Sequence, residues 1–370
     1  MKVMTILGTR PEIIRLSRVI ARLEATSVVD HVLVHTGQNY DYELNQVFFD
    51  DLGLRKPDHF LECDTSSIGH VYGDILIKSE KVMVQEKPDA VLILGDTNSA
   101  ISAIIARRLH IPVFHMEAGN RSFDWRVPEE TNRRIVDHIS DVNLVYTEHA
   151  RANLMREGLH PQRVYLTGSP MYEVLEHYRP QIEASDVLER EGLESGKFVI
   201  VSLHREENVD DAQRLGQLLE GLGRLSEQRD LDILVSTHPR TRKRLEEFGL
   251  IDSASDRVRF AKPFGFHDYN KLQMTAACAV SDSGTISEES SILGFPAVTP
   301  RDWIERPEAL DTGSIIMTGL EAATVLRGVA YAVDFGAPDC IPDEYKIPNC
   351  SDHVVRIILG RNRQLRETLR

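Results

Sequence analysis

The chain has 370 residues, enough for two domains of ordinary size, and its 42% hydrophobic and 27% charged residues indicate a globular protein with buried cores. Its formal net charge of -14 at pH 7 argues against binding to nucleic acid or to an anionic membrane surface, because both require a basic face. The four cysteines are widely spaced and no apolar run reaches the length of a membrane span. We therefore expect a cytoplasmic protein without nucleic-acid or membrane partners.

Short apolar runs alternate with helical patterns along the first half of the chain. The predicted strands are 2–7, 31–34, 90–94, 111–114, 143–146 and 163–166, and the predicted helices include 99–109 and 150–157. This alternation is typical of a parallel sheet that is covered by helices on both faces.

A second series of the same kind follows a polar stretch near residues 180–197. Its predicted strands are 198–203, 232–236, 258–261, 277–281 and 297–299. The predicted fold class is therefore α/β, with two Rossmann-like, doubly wound domains at 1–172 and 173–352 that face each other across a cleft. The basic, amphipathic C-terminal segment predicts a helix, and we expect residues 353–370 to cross back onto the first domain.

Polar residues follow most of the predicted strands. In open parallel sheets, ligands bind beyond the carboxyl ends of the strands. The residues at these ends are Arg10, His35, Asp96, Glu117, His204, His238, Ser283 and Gly284. We therefore expect the binding site at these strand ends, in the cleft between the two domains.

The segment 115–134, HMEAGNRSFDWRVPEETNRR, mixes carboxylates with arginines directly after a predicted strand. Glu117 lies where no helix needs a cap, which favours an acid/base role. Asp96 has two interpretations: a carboxylate that faces the cleft, or the N-cap of a helix that begins near residue 98. Glu129 follows a proline and equally fits the acidic first turn of a helix.

Two strand-to-helix turns indicate phosphate binding. Thr9 and Glu12 have the spacing of a capping box, which leaves the cation Arg10 at a helix N-terminus, where an anion is the expected partner. Ser283 and Gly284 precede another predicted helix, and the first N–H groups of such a helix can bind phosphate.

Further motifs narrow the chemistry. Glu289 lies within the first two turns of the helix that follows Ser283 and Gly284, where its carboxylate could accept from the hydroxyl pair of a ribose. His204 follows a central predicted strand and stands next to an arginine. No G-x-G-x-x-G fingerprint for a dinucleotide is present. The H-x-E at 115–117 lacks the P-C-x-x-C that completes the zinc site of deaminases, so that metal site is rejected.

Together these residues resemble the non-hydrolysing UDP-N-acetylglucosamine 2-epimerase family over nearly the whole chain. The shared motifs are GTRPE at 8–12, GDT at 95–97, HMEAG at 115–119, PEETNRR at 128–134, HREEN at 204–208, DSGTISEE at 282–289 and ERPE at 305–308. The resemblance implies a fold like that of the two-domain GT-B glycosyltransferases, a homodimer, no metal and no cofactor.

The resemblance also implies roles for individual residues. It implies carboxylate acid/base chemistry at Asp96, Glu117 and Glu129, with His204 as a further catalytic residue. It implies contacts to the UDP part of a UDP-sugar substrate, with Tyr269 near the uracil, from Arg10, Arg15, Arg133, His204, Tyr269, Ser283, Gly284 and Glu289.

Departures from the parent pattern point to one branch of the family. Arginine stands at position 15, where the family usually has lysine, and the loop after HMEAG is about two residues shorter than in the parent enzymes. The segments at 17–23 (SRVIARL), 36–49 (TGQNYDYELNQVFF) and 236–242 (STHPRTR) look like the UDP-N-acetyl-L-fucosamine synthases. That branch epimerises UDP-2-acetamido-2,6-dideoxy-L-talose for capsule or O-antigen synthesis.

The chemistry of such a sugar limits the mechanism. The proton on C2 is not adjacent to a carbonyl, so its direct removal leaves an unstabilised carbanion. Elimination of UDP to a 2-acetamido-glycal, followed by re-addition, avoids this and needs acid/base groups for both faces. The alternatives are the parent reaction from UDP-GlcNAc to UDP-ManNAc, a retaining GT-B glycosyltransferase and a UDP-sugar sensor without catalysis.

Overall fold

The computed structural model describes residues 1–37, 49–251 and 254–369. Most of the segment 36–49, which contributes to the branch assignment, therefore lies outside the described residues. The chain divides into two compact units, unit 1 (Met1–Val174 with Asp343–Arg370) and unit 2 (Leu175–Pro342). None of the helices within the described ranges combines the length and the apolar character needed to cross a membrane.

Thirteen strands are found in the described residues, and each belongs to one of two sheets. The strands are β1 (Lys2–Leu7), β2 (Asp30–His35), β3 (His59–Phe60), β4 (Ala90–Leu94), β5 (Val113–Met116), β6 (Val142–Val145), β7 (Val164–Leu166), β8 (Phe198–Ser202), β9 (Asp232–Ser236), β10 (Val258–Ala261), β11 (Cys278–Ser281), β12 (Ala297–Thr299) and β13 (Ile316–Met317).

Helices connect the strands, and the following lie wholly within the described residues. They are α1 (Arg10–Glu24), α2 (Ile68–Glu86), α3 (Ala103–Arg108), α4 (Pro128–Ile139), α5 (Glu148–Arg156), α6 (Met171–Ala184), α7 (Val187–Glu191), α8 (Glu206–Val209), α9 (Ala212–Arg229), α10 (Pro239–Glu247), α11 (Phe266–Thr275), α12 (Ile286–Leu293), α13 (Glu308–Asp311), α14 (Ala322–Phe335) and α15 (Cys350–Leu369). Short 3-10 helices span Asn98–Ser102, Pro161–Arg163 and Asp343–Lys346.

Both sheets are parallel and doubly wound, which confirms the predicted fold class. The sheet of unit 1 has the order β3-β2-β1-β4-β5-β6-β7, and the sheet of unit 2 has the order β10-β9-β8-β11-β12-β13. Strands such as β4, with the sequence AVLIL, are buried at every position because helices cover both faces. In each sheet the order in which strands are added reverses once, between β1 and β4 in unit 1 and between β8 and β11 in unit 2. Ligands bind at such switch points in folds of this kind.

The sequence of α1 shows how a helix is fitted to the sheet of unit 1. Pro11 lies in the first turn, where the missing N–H costs nothing. Ile13, Leu16, Ile20 and Leu23 recur at helical spacing and are fully buried, so they form the stripe that the helix turns toward the core. The N-terminus of α1 is thereby fixed directly after β1.

Three local predictions were wrong. β5 begins at Val113 rather than at 111, because the N–H of Ile111 still bonds the carbonyl of Ala106 and closes the end of α3. The predicted helix 99–109 is a 3-10 turn followed by α3. The edge strands β3 and β13 were missed because two residues are too few to show a period.

Close backbone approach explains Gly8, which follows β1. A Cβ atom at this position would lie 2.0 Å from Oγ1 of Thr36 and 2.3 Å from Oγ of Ser99. These two hydroxyl oxygens are themselves 3.0 Å apart, and they come from the ends of β2 and of the β4 loop. Glycine is therefore required where three strand ends converge.

A buried carboxylate joins the two loops at the switch point of unit 1. Glu12 accepts hydrogen bonds from the N–H of Gly8 (3.0 Å) and the hydroxyl of Thr9 (2.8 Å), on the β1 side. It also accepts one from the hydroxyl of Thr97 (3.0 Å), on the β4 side. Burial raises the pKa of Glu12 to about 7, although these donors oppose the shift.

We expect Glu12→Gln to remove the destabilisation that ionisation of the buried Glu12 carboxyl causes as the pH rises. The pKa of Glu12 in the folded protein lies above its usual value of 4.5. The contribution of the protonated carboxyl to the free energy of unfolding is therefore fully present below pH 4.5 and is lost as the pH rises through about 7. At about 1.4 kcal/mol per pKa unit, the wild type should lose roughly 3 kcal/mol relative to Glu12→Gln across this window. Urea unfolding of both proteins from pH 4.5 to pH 8 measures the difference, and parallel stability curves would contradict the assignment.

Candidate active site

Glu117 lies directly after β5 at the switch-point edge of unit 1. Its backbone has a φ of +62°, a left-handed conformation that costs a non-glycine residue of order 1–3 kcal/mol and that concentrates at functional sites. Its carboxylate forms an ion pair with Arg15, which is buried on α1. The carboxyl carbon lies 4.0 Å from where a Cβ of Gly95 would stand, so Glu117 is next to the loop that carries Asp96.

Asp96 faces an arginine rather than a helix end. The Nε of Arg133 donates to its Oδ2 at 2.9 Å, and a second guanidinium nitrogen of Arg133 also contacts that oxygen. The N-cap position of the following 3-10 helix is occupied by Thr97. The alternative interpretation of Asp96 as an N-cap is therefore wrong.

The adjacent carboxylates Glu129 and Glu130 lie in opposite environments. Glu129 is exposed in the first turn of α4. Glu130 is fully buried, accepts from the N–H of Ser122 (3.1 Å) and pairs with Arg133 (2.7 Å) and Arg134 (2.9 Å). Glu130 thus braces the loop 120–127 and the arginine that holds Asp96, whereas Glu129 is the carboxylate of the pair that a ligand can reach.

Two fully buried residues beneath these loops were missed by the sequence analysis. His115 has its Nε2 2.8 Å from the carbonyl of Gly95, and its Nδ1 lies 2.9 Å from a carboxylate oxygen of Asp137. Burial raises the pKa of Asp137, but His115 and Arg121 outweigh this effect and hold it below the usual range. The pair links β5 to the β4 loop and to α4, and therefore fixes the backbones on both sides of Glu117.

The cations of unit 1 lie at the same edge. Arg10 is the first residue of α1 and is half-buried, and the guanidinium of Arg15 lies 5.9 Å from the ring centre of Tyr146. The expected capping box is incomplete, because Thr9 occupies the N-cap position without a side-chain cap hydrogen bond. Its hydroxyl donates to Glu12 instead.

In unit 2, His204 follows β8 and pairs with a buried aspartate at the end of β11. The ring Nδ1 of His204 lies 2.8 Å from Oδ1 of Asp282, while the side chain is 40% exposed. The same carboxylate accepts from the N–H groups of His204 and Arg205, both at 3.0 Å, and from Nδ2 of Asn208 at 2.9 Å. The loops on both sides of this switch point are thus held by one carboxylate.

The turn after Asp282 is held by hydrogen bonds within the turn and by Arg306. Ser283 bonds the hydroxyl of Thr285 (3.0 Å), and its oxygen also accepts the N–H of Thr285. The carbonyl of Gly284 accepts from Arg306 at 2.9 Å, and Arg306 also pairs with the buried Glu288. The turn leads directly into α12, whose first N–H groups point back toward it.

Glu289 and Tyr269 complete this edge of unit 2. Glu289 is buried and accepts from the amide of Gln273 at 2.9 Å. Burial, and then the charge of Glu289, raise the pKa of the Tyr269 hydroxyl, which interacts with the side chains of Ser202 and Ser281 at the ends of β8 and β11.

Each predicted site residue lies within one unit, either in a loop that follows a strand or in the first two turns of a helix that begins there. Unit 1 carries Arg10, Arg15, Asp96, Glu117, Glu129 and Arg133, and unit 2 carries His204, Tyr269, Ser283, Gly284 and Glu289. The residues that the sequence analysis missed as parts of the site are Glu12, His115, Asp137 and Asp282. The signal for Glu12 and Asp282 was present, since both stand in the quoted motifs at strand ends.

Comparisons with known proteins identify the family of the chain. The profile of a family described as UDP-N-acetylglucosamine 2-epimerase matches residues 21–359. The UDP-N-acetylglucosamine 2-epimerase of Methanocaldococcus jannaschii is 37% identical over 335 residues, which cover 89% of this chain and 91% of that protein. The UDP-2,3-diacetamido-2,3-dideoxy-D-glucuronate 2-epimerase of Pseudomonas aeruginosa is 34% identical over 323 residues, covering 86% and 88%.

Solved structures give the same result. The UDP-N-acetylglucosamine 2-epimerase of Rickettsia bellii superposes with a TM-score of 0.91 at 46% identity and covers 100% of this chain and 98% of that one. The M. jannaschii enzyme in complex with UDP-GlcNAc and UDP superposes with a TM-score of 0.90 at 35% identity, covering 97% and 100%. By sequence and by structure, the chain belongs to the non-hydrolysing UDP-N-acetylglucosamine 2-epimerase family of isomerases.

Proposed function

We propose that this UDP-sugar 2-epimerase converts UDP-2-acetamido-2,6-dideoxy-L-talose to UDP-N-acetyl-L-fucosamine, for capsule or O-antigen synthesis. The observation that carries the catalytic part is the placement of Glu117 and Asp96 side by side at one switch point, each paired with an arginine. The choice of sugar is supported by the departures in sequence, above all Arg15 and the short loop after Gly119.

The reaction that suits these groups is elimination and re-addition. A carboxylate takes the proton from C2, the C–H electron pair forms the C1–C2 double bond, and the C1–O bond breaks with its electrons passing to UDP. The glycal then receives a proton on the opposite face of C2, and UDP adds back at C1. In this scheme Glu117 and Asp96 transfer the protons and the exposed Glu129 assists or orients.

The departing UDP needs cations and N–H donors where its negative charge develops. In the proposed scheme His204 and the turn Ser283–Gly284 serve the diphosphate, Glu289 binds the ribose and Tyr269 contacts the uracil. Arg10, Arg15 and Arg133 of unit 1 complete the diphosphate contacts. A guanidinium carries five N–H donors, so one arginine can serve both a carboxylate and a phosphate oxygen.

The second candidate is the parent reaction, from UDP-GlcNAc to UDP-ManNAc. It is favoured by the M. jannaschii and R. bellii relatives, both of which are named UDP-N-acetylglucosamine 2-epimerases. The P. aeruginosa relative acts on a different sugar, so the family has more than one substrate. A retaining glycosyltransferase or a sensor does not need the adjacent carboxylates of unit 1.

We also propose that the protein is a homodimer. Helix α2 presents three exposed apolar side chains, Ile68 (64%), Ile77 (67%) and Val84 (54%). Ile77 and Val84 are seven residues apart and therefore share one face of the helix. Ile68 lies on the opposite side of the helix, so the apolar stripe of Ile77 and Val84 is the surface that we propose as the dimer contact.

Incubation with UDP-2-acetamido-2,6-dideoxy-L-talose and with UDP-GlcNAc in deuterated water tests the reaction and the substrate. We expect the talose derivative to react faster, and C2 of the product to carry deuterium because the proton is exchanged during elimination. NMR spectroscopy of C2 measures both. Turnover without deuterium at C2 would refute the elimination scheme, and a preference for UDP-GlcNAc would refute the substrate assignment.

Glu117→Gln should reduce kcat by roughly 10²–10⁴-fold, because the amide cannot accept a proton from C2. UDP binding, measured by calorimetry, should change by only a few-fold, since Glu117 touches the proposed diphosphate contacts only through its ion pair with Arg15. The exposed Glu227→Gln on α9 is the matched control and should leave both quantities unchanged. A Glu117→Gln enzyme that retains wild-type kcat would exclude Glu117 from proton transfer.

Ile77→Glu should dissociate the proposed dimer, because it places a charge in the apolar stripe of α2. Light scattering coupled to size exclusion should give about twice the chain mass of 41.8 kDa for the wild type and the single-chain mass for the variant. Val28→Glu, which changes an equally exposed apolar residue (62%) outside α2, is the control and should remain dimeric. A monomeric wild type would refute this proposal.

A further inference from the structure

The pair His204–Asp282 has a feature that nucleotide binding alone does not explain. Asp282 is fully buried, yet one of its oxygens faces the ring nitrogen Nδ1 of His204, a side chain that is 40% exposed. The two backbone N–H donors and the amide of Asn208 already satisfy the other oxygen. The ring is thus held by one edge from inside the fold, and its opposite nitrogen, Nε2, is the atom left to face a ligand.

We propose that Asp282 is a positioning residue that orients His204 and balances its charge, so that both ring nitrogens are protonated when UDP is bound and Nε2–H donates to the diphosphate. This inference rests on the proposed function, because it takes UDP as the ligand of His204. The reason is chemical: a carboxylate only accepts, so the nitrogen that faces Asp282 carries a proton, and a diphosphate oxygen requires the same of Nε2.

The electrostatic state of Asp282 fits this role. Burial raises the pKa of its carboxyl, but the charge and hydrogen bond of His204, together with the backbone donors, outweigh burial and hold the pKa below the usual range. Asp282 therefore enters the pair as an anion. Two further groups lie near His204: the ring of His238, whose centre is 5.8 Å from that of His204, and Arg205, whose Nε donates to the carbonyl of Asp282 at 2.9 Å.

The same residue also fixes where the histidine stands relative to the phosphate-binding turn. Asp282 is the first residue of the turn that continues through Ser283 and Gly284 into α12. Its carboxylate holds the start of the β8 loop from the other side of the switch point. A shift of the turn would therefore carry His204 with it, which keeps the donors aimed at the diphosphate in one arrangement.

The test uses the full-length enzyme with ¹⁵N-labelled histidine at pH 7 and saturating UDP, with the His204 signals assigned by their loss in His204→Gln. We expect both ring nitrogens of His204 to show protonated shifts in the wild type, and a neutral ring in Asp282→Asn. A neutral His204 ring in the wild-type complex, or an identical ring state in both proteins, would overturn the proposal. The wild-type spectrum decides even where Asp282→Asn does not fold.

Kinetics supply a second readout. Asp282→Asn should lower kcat/KM by roughly 10–100-fold in the wild-type background, because the ring loses a hydrogen bond to a charged partner, and by little in the His204→Gln background. Multiplicative effects of the two changes would show that Asp282 acts independently of the histidine and would overturn the proposal.

Asn208→Ala is the matched control. It removes another hydrogen bond to Asp282 without touching the ring, so it should lower stability while the ring remains doubly protonated. The ring spectra and a UDP titration do not depend on turnover. A failure of the proposed epimerisation would therefore be seen separately from a failure of this inference.

Discussion

One buried carboxylate at each switch point holds together the loops on which the site depends. In unit 1, Glu12 joins the loop after β1 to Thr97 in the loop after β4. In unit 2, Asp282 joins the end of β11 to the N–H groups of His204 and Arg205 after β8. In each sheet the first strand of the unit is thereby tied to the neighbour across which the strand order reverses. Parallel strands end at a common edge, but only such a cross-link sets the relative positions of side chains on two different loops.

The pKa values of these two buried carboxylates are shifted in opposite directions. The donors to Glu12 are hydroxyl and backbone N–H groups, and burial outweighs them, so its pKa rises to about 7. Asp282 receives His204 as well as its backbone donors, so its pKa falls despite equal burial. The difference follows from what each group holds: Glu12 orders backbone and hydroxyls, whereas Asp282 orders a titratable ring. The burial of Glu12 and the left-handed backbone of Glu117 are both locally destabilising, and both occur at the proposed site.

The sequence predicts the sheets well because their signal is local. Buried parallel strands are continuous apolar runs, and turn residues mark their ends, so the strand-end census placed Asp96, Glu117 and His204 at the correct edges. The interactions that act across the fold were not predictable in this way. Arg133 reaches Asp96 over 37 residues, and Asp282 reaches His204 over 78. The neighbours Glu129 and Glu130 differ only in which side of α4 faces the core, which depends on the packing of that helix.

Local charge, not net charge, determines which anion the proposed site accepts. The net charge of -14 argues against a polyanion, which must lie along an extended surface. A diphosphate needs only a few donors at one point. Unit 1 has Arg15 and Arg133 next to its carboxylates, and unit 2 has His204 beside a helix N-terminus. In the proposed reaction the base and the leaving group are both anions, and arginines placed against the carboxylates reduce the repulsion between them. The pairing of each carboxylate with an arginine is therefore consistent with a substrate whose leaving group is itself negatively charged.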